Sequence, residues 1–191
     1  MDKQFQYDVM KICLLAGKIL LQNGAETYRV EDTMLRIAAA FGITKCDSFV
    51  IPTGIIFSIE TEKDDQTKLV RVSHRTTDLL KVTQVNRVSR DITEGKLSTA
   101  DAYTLLQEIE SAPFSFSLKL QWLAAALASA CFVIMFNGSW QDFLPAFVTG
   151  GLGFLSFLAI HSLVSIKFVS EFLASIVIGF ASYVFVRLGF G

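Results

Sequence analysis

Apolar residues recur at helical spacing at Val9, Ile12, Cys13, Ala16, Ile19 and Leu20, and the pattern stops at Asn23-Gly24, a pair suited to a left-handed helix terminus. A second stripe, Val30, Met34, Ile37, Ala38 and Phe41, restarts the period and ends at Gly42. Glu26, Glu31 and Asp32 fall in its early turns, where carboxylates favour the positive end of the helix dipole. The spacing predicts an αα-hairpin. Next, Phe49 and Ile51, then Ile55, Phe57 and Ile59 alternate with a break at Pro52-Thr53-Gly54, and Lys68 to Ser73 alternates beyond a polar tip at 61–66. That predicts a β-hairpin with a bulge or break at Pro52-Gly54. Asp78 or Thr77 can cap a helix through about Arg90, and Ser98-Thr99-Ala100-Asp101 resembles a capping box ahead of Ala102, Leu105, Leu106 and Ile109. With Pro113 closing the segment, residues 1–117 read as one α+β domain of order ααββαα, long enough for a small core.

From residue 118 the pattern changes character. Leu118–Phe136 is a 19-residue, predominantly apolar run and, at about 1.5 Å per residue, reaches roughly 28 Å, close to the thickness of the hydrocarbon layer. After the polar turn Asn137-Gly138-Ser139-Trp140-Gln141-Asp142, two further runs, 143–160 and 168–190, are long enough to cross, with His161 and Lys167 bracketing their connection. Residues 118–191 are expected to be an all-α transmembrane region of three helices. Small residues recur four apart at Ala124/Ala128, Ala126/Ala130, Ala146/Gly150 and Ser175/Gly179, and Gly150, Gly151 and Gly153 leave part of the second span without side chains. This favours close helix contacts; the alternative is an unwound stretch lining a path.

Composition sharpens the division. Of 191 residues 52% are hydrophobic and 18% charged, but 14 of the 17 Lys/Arg and 16 of the 18 Asp/Glu lie within residues 1–117. The last 74 positions carry only Lys119, Asp142, Lys167, Glu171 and Arg187. Lys119 and Lys167 fall on the side of the Lys/Arg-rich domain while the first connection has no positive charge, so the charge rule expects that domain in the cytosol. The N-terminus has no apolar core like that of a signal peptide. A net charge of −1 provides no basic field, so no nucleic-acid partner is expected. Cys13, Cys46 and Cys131 are odd in number and lack C-x-x-C spacing, which supports neither a disulfide framework nor a zinc site. They read as small apolar residues in a reducing compartment.

Candidate chemistry is sparse. No G-x-S-x-G occurs, and the two histidines, His74 and His161, lie in different domains, which argues against a covalent hydrolase. Glu26, Glu31 and Asp32 could chelate a metal or relay protons, but carboxylates in first turns are usually solvated, and neither a metal nor a cofactor is expected. Glu171 is the most informative charge: a carboxylate one turn into a span is costly unless it faces protein or water, which makes it a proton or substrate candidate. The bland reading places it at the interface near Lys167. Gln121, His161, Gly150, Gly151 and Gly153 complete the candidates for a path.

Gly17, the run Gln22-Asn23-Gly24-Ala25-Glu26-Thr27-x-Arg29-Val30-Glu31, Pro52-Thr53-Gly54-Ile55 and Ser58 resemble the N-terminal domain of the threonine/serine exporter family, and Asn137-Gly138-x-Trp140 continues the likeness into the spans. The resemblance implies export of small amino acids or related organic acids across the bacterial inner membrane by a secondary transporter, with the N-terminal domain cytosolic. It marks Gly24, Ala25, Glu26, Arg29, Glu31, Pro52, Thr53, Gly54 and Ser58 as motif residues. It also implies a longer subunit of about five spans working beside a smaller membrane subunit. With three spans in the sequence, a C-terminally truncated or abbreviated member is expected. The leading expectation is a multi-pass transporter component contacting lipid, a small-molecule substrate and either further copies of itself or a smaller companion. The alternative is a membrane-anchored cytosolic enzyme or ligand sensor, which a deep polar pocket in the N-terminal domain would favour.

Overall fold

The computed structural model describes residues 3–60, 65–113 and 116–189. The chain divides into two compact units, Met1–Ser115 and Phe116–Gly191. In the first, the elements run α1 (Lys3–Gln22), α2 (Thr27–Ala40), β1 (Cys46–Ile51), β2 (Gly54–Ile59), β3 (Gln66–Arg71), α3 (Leu79–Thr93) and α4 (Thr99–Ser111).

The α1 helix is the centre of this unit and packs against α2, α3, α4 and β2. Its stripe from Val9 to Leu20 is buried, and it begins at Lys3, ahead of that stripe, because Phe5 packs edge-on to Phe41 while Lys11 pairs with Asp8 at 3.1 Å. At Gly17 an added Cβ would overlap the Met34 thioether and approach Ile55 Cδ1 to 3.2 Å, so the missing side chain sets how closely α1 meets α2 and the sheet. Gly24, at φ +98°, lets Ala25 N donate back to Leu20 O at 3.0 Å and closes the helix.

The order is ααβββαα, with a three-stranded antiparallel sheet β1-β2-β3 rather than the expected ααββαα hairpin with a break. Pro52-Thr53 is a two-residue reversal that pairs Ile51 with Gly54. Because of that register, odd positions of β1 face even positions of β2. Val50, Ile55, Phe57 and Ile59 are therefore buried, whereas Phe49 and Ile51 lie on the outer face beside Ile56 and Leu69. The expected bulge or break at Pro52-Gly54 is thus a full chain reversal between two strands. The third strand is Gln66–Arg71, two residues ahead of its expected limits, and most of the polar tip lies outside the described residues, at 61–64. Asp78 Oδ1 caps α3 by accepting from Leu80 N and Lys81 N, and Ser98 Oγ caps α4 by accepting from Asp101 N.

The second unit holds α5 (Leu118–Met135), a 3-10 turn (Trp140–Asp142), α6 (Phe143–Val164) and α7 (Lys167–Arg187). Each of these three helices is long and apolar enough to cross a membrane. The middle one, α6, packs against both others. It runs four residues beyond its expected end at Ile160, so His161 lies in its last turn and not in the connection, which shrinks to Ser165-Ile166. The sequence Ser162-Leu163-Val164 contains no helix breaker, and the stop comes from Ser165 at φ 55°. Outward-facing Phe132, Leu144, Leu155, Phe172 and Phe180 form an apolar surface of the kind lipid solvates.

Candidate functional site

The motif residues of the N-terminal unit do not gather at one point. Gly24 and Ala25 form the α1–α2 joint, and Glu26 precedes α2 at its N-cap without a side-chain capping bond. Arg29 pairs with Glu26 at 3.8 Å and Arg36 with Asp32 at 2.6 Å, both pairs being solvent-exposed. Glu31 instead turns to the sheet, where Oε1 accepts from Val50 N at 2.8 Å and satisfies a donor on the open edge of β1. Pro52, Thr53 and Gly54 are the reversal, and Ser58 on β2 shares a 2.8 Å hydrogen bond with Thr67 on β3. Among the described residues, no group of three or more His, Cys, Asp or Glu side chains could hold a metal ion.

A cavity of about 470 Å³ lies between α2 and α3, floored at one end by Leu20 and Ala25. The α2 wall presents Arg29, Asp32 and Arg36; the α3 wall presents Asn86, Ser89 and Arg90. Sequence reasoning missed Arg36, Asn86, Ser89 and Arg90. The signal available was spacing: Arg29 and Arg36 lie seven apart on one helical face, and Asn86 precedes Ser89 and Arg90 by three and four positions.

In the second unit, Glu171 is exposed and pairs with Lys167, one turn earlier, at 3.8 Å. His161 stacks on Phe157, and its Nδ1 lies 3.3 Å from the Oγ of Ser170, a residue that is itself fully buried. The same Ser170 hydroxyl donates to Ile166 O at 2.9 Å. Gln121 does not reach into the bundle: its side-chain amide donates to Phe116 O at 2.8 Å. The glycines sit in an unbroken helix at close contacts. A Cβ at Gly150 would overlap Ser129 and one at Gly153 would overlap Ile178, while one at Gly151 would lie 2.9 Å from Trp122 Nε1. Trp122 Nε1 in turn donates to Gly151 O at 3.1 Å. Ala126 and Ala130 are buried, whereas Ser175 and Gly179 face outward. Span hydroxyls bond to carbonyls of their own helix: Ser129 to Ala125, Thr149 to Pro145, Ser170 to Ile166 and Ser175 to Glu171.

The chain as a whole is similar to known proteins. Over 146 residues the chain is 26% identical to the Klebsiella aerogenes "Probable succinate transporter subunit YjjP", covering 76% of this chain and 56% of that one. Over 175 residues it is 25% identical to the Corynebacterium glutamicum "Threonine/serine exporter", covering 90% of this chain and 35% of that one. A Mycobacterium tuberculosis "Probable threonine/serine exporter" is 26% identical over 149 residues, 75% of this chain and 28% of the relative. The chain thus spans about half, or less, of the length of these curated relatives. No solved structure matches it. The match to the threonine/serine exporter family, ThrE, covers residues 11–191 and so runs through both the α+β unit and all three apolar helices; the chain belongs to this family of membrane transporters, which are not enzymes.

Proposed function

We propose that the chain is a component of a secondary transporter of the bacterial inner membrane that exports small amino acids of the threonine/serine type, or related small organic acids. The carrying observation is the continuity of the family match through a folded α+β unit and three spans. Names of relatives divide between threonine/serine and succinate, and these substrates share a small size and a carboxylate. The N-terminal unit is cytosolic in this reading, since Lys119 and Lys167 flank the ends of spans on its side while the first connection lacks positive charge. The three helices present apolar outer surfaces, and in this reading the chain works with further copies or with a companion membrane subunit; YjjP is itself named a subunit. Glu171, His161 and Ser170, clustered about the α6–α7 connection, are the groups available to meet a proton or substrate there.

The enzyme alternative ends with the family assignment. Ligand sensing by the N-terminal unit keeps one observation in its favour, the polar cavity between α2 and α3. The test is efflux of labelled threonine, serine and succinate from preloaded cells making this chain with and without its genetic neighbour. Faster efflux of one of them supports the proposal; unchanged efflux of all three in both strains overturns it.

A further inference from the structure

The wall of the α2–α3 cavity contributed by α3 carries polar groups that the fold does not use. Asn86, Ser89 and Arg90 share one helical face, and among the described residues none of their side chains makes a hydrogen bond or ion pair. Ser89 is only 4% exposed as a residue, yet its hydroxyl is not among the fully buried, unpaired side-chain atoms of the described residues, so it keeps access to the groove. On the opposite wall Arg29 pairs with Glu26 at the N-cap and Arg36 with Asp32, exposed pairs that offset part of their charge. Arg90, whose charge also acts on Glu94 one turn on but which makes no ion pair among the described residues, therefore sets the sign of the groove and offers a planar five-donor fork of the type that grips an oxyanion side-on.

We propose that this groove binds a small organic acid through a carboxylate, with Arg90 as its anchor and Asn86 and Ser89 as neutral hydrogen-bonding partners. The size is right for such a ligand with a few waters: about 470 Å³, within the range of small-molecule sites. Among the described residues no aromatic side chain lines the cavity, so they offer no platform on which a nucleobase could stack. A phosphate dianion would bring two charges to one free guanidinium in a groove that also holds the Glu26 and Asp32 carboxylates; a single carboxylate matches it. The inference deepens the ligand-sensing role of this unit, and since binding requires no transport, it stands or falls apart from export.

The test is titration calorimetry on the full chain in detergent with succinate, L-threonine and inorganic phosphate as probes. Saturable binding of succinate or threonine is expected, and which of them binds tells a dicarboxylate site from an amino-acid site. Arg90→Gln should weaken binding by about tenfold or more, Arg90→Lys by less, and Asn86→Ala by a few-fold. Arg87→Gln removes an equal charge from α3 at a side chain that lies outside the cavity, and should leave binding unchanged. Binding of phosphate alone, equal affinity in Arg90→Gln and parent, or equal losses in Arg87→Gln and Arg90→Gln would overturn the proposal. Because Arg90 is exposed, its variants should melt with the parent in the absence of ligand, and Asn86→Ala supplies an independent reading. Export without binding, or binding without export, would separate this inference from the proposed transport.

Discussion

Removing the Glu31 carboxylate should loosen the N-terminal unit far more than removing Asp32, its neighbour on α2. Glu31 Oε1 accepts from the backbone of buried Val50 on the open edge of β1, whereas Asp32 meets only exposed Arg36 one turn away. A hydrogen bond to a charged group contributes about 1.5–3 kcal/mol, and its loss leaves a partly buried N–H unpaired. An exposed i,i+4 pair contributes about 0.3–0.5 kcal/mol. Cys13 is a built-in reporter: it is 0% exposed, and burial pushes its thiol well above the usual range, so reagent reaches it only when the unit opens. With Cys46→Ser and Cys131→Ser as background, the labelling rate follows the opening equilibrium. Glu31→Ala should raise that rate by about tenfold to a hundredfold, Asp32→Ala by about twofold, and Glu31→Gln, which keeps an acceptor, by an intermediate factor. Labelling of Glu31→Ala at the rate of Asp32→Ala would refute the assignment of Glu31 to the edge of the sheet.

Four further outcomes are expected. A cysteine at Ser139 should react with an impermeant reagent from outside cells while Cys46 does not; labelling of Ser139→Cys only from the cytosolic side reverses the orientation. Glu171→Gln should abolish pH-dependent efflux without affecting insertion, and efflux that keeps its pH profile returns the carboxylate to pairing with Lys167 at the interface. Gly151→Leu, which drives a side chain into Trp122, should cost about 1–3 kcal/mol of packing and shift Trp122 emission to the red; an unshifted spectrum shows that the contact can relax. Residues 1–117 should fold alone as a soluble, cooperatively melting domain, since the core of the first unit is drawn from its own helices and sheet; aggregation of that segment would count against its independence.

Helices were legible because their apolar stripes repeat through whole elements and end at residues with a defined conformational role, such as Gly24 at φ +98°. The sheet was legible as alternating segments but not in strand number: Pro52-Thr53-Gly54 reads as a bulge or break within a hairpin, and alternation alone does not tell that from the two-residue reversal that makes β1 and β2 separate strands. The end of α6 was hidden for a related reason, since nothing chemical in Ser162-Leu163-Val164 stops a helix. The cavity was least legible. Glu26 with Arg29 and Asp32 with Arg36 look like routine surface pairs on one helix, and only tertiary packing sets Asn86, Ser89 and Arg90 opposite them.

The hydroxyls of the spans bear on how the protein is made. Ser129, Thr149, Ser170 and Ser175 each bond to a carbonyl on their own helix, so none depends on a neighbouring helix for that bond. Each segment can then leave the insertion machinery for lipid singly, without waiting for its neighbour to be synthesised. Assembly becomes a later step among helices already in the bilayer, guided by Gly150 against Ser129, Gly151 against Trp122 and Gly153 against Ile178. Variants at these glycines should therefore be inserted normally and fail afterwards, as proteins resident in the membrane but wrongly assembled.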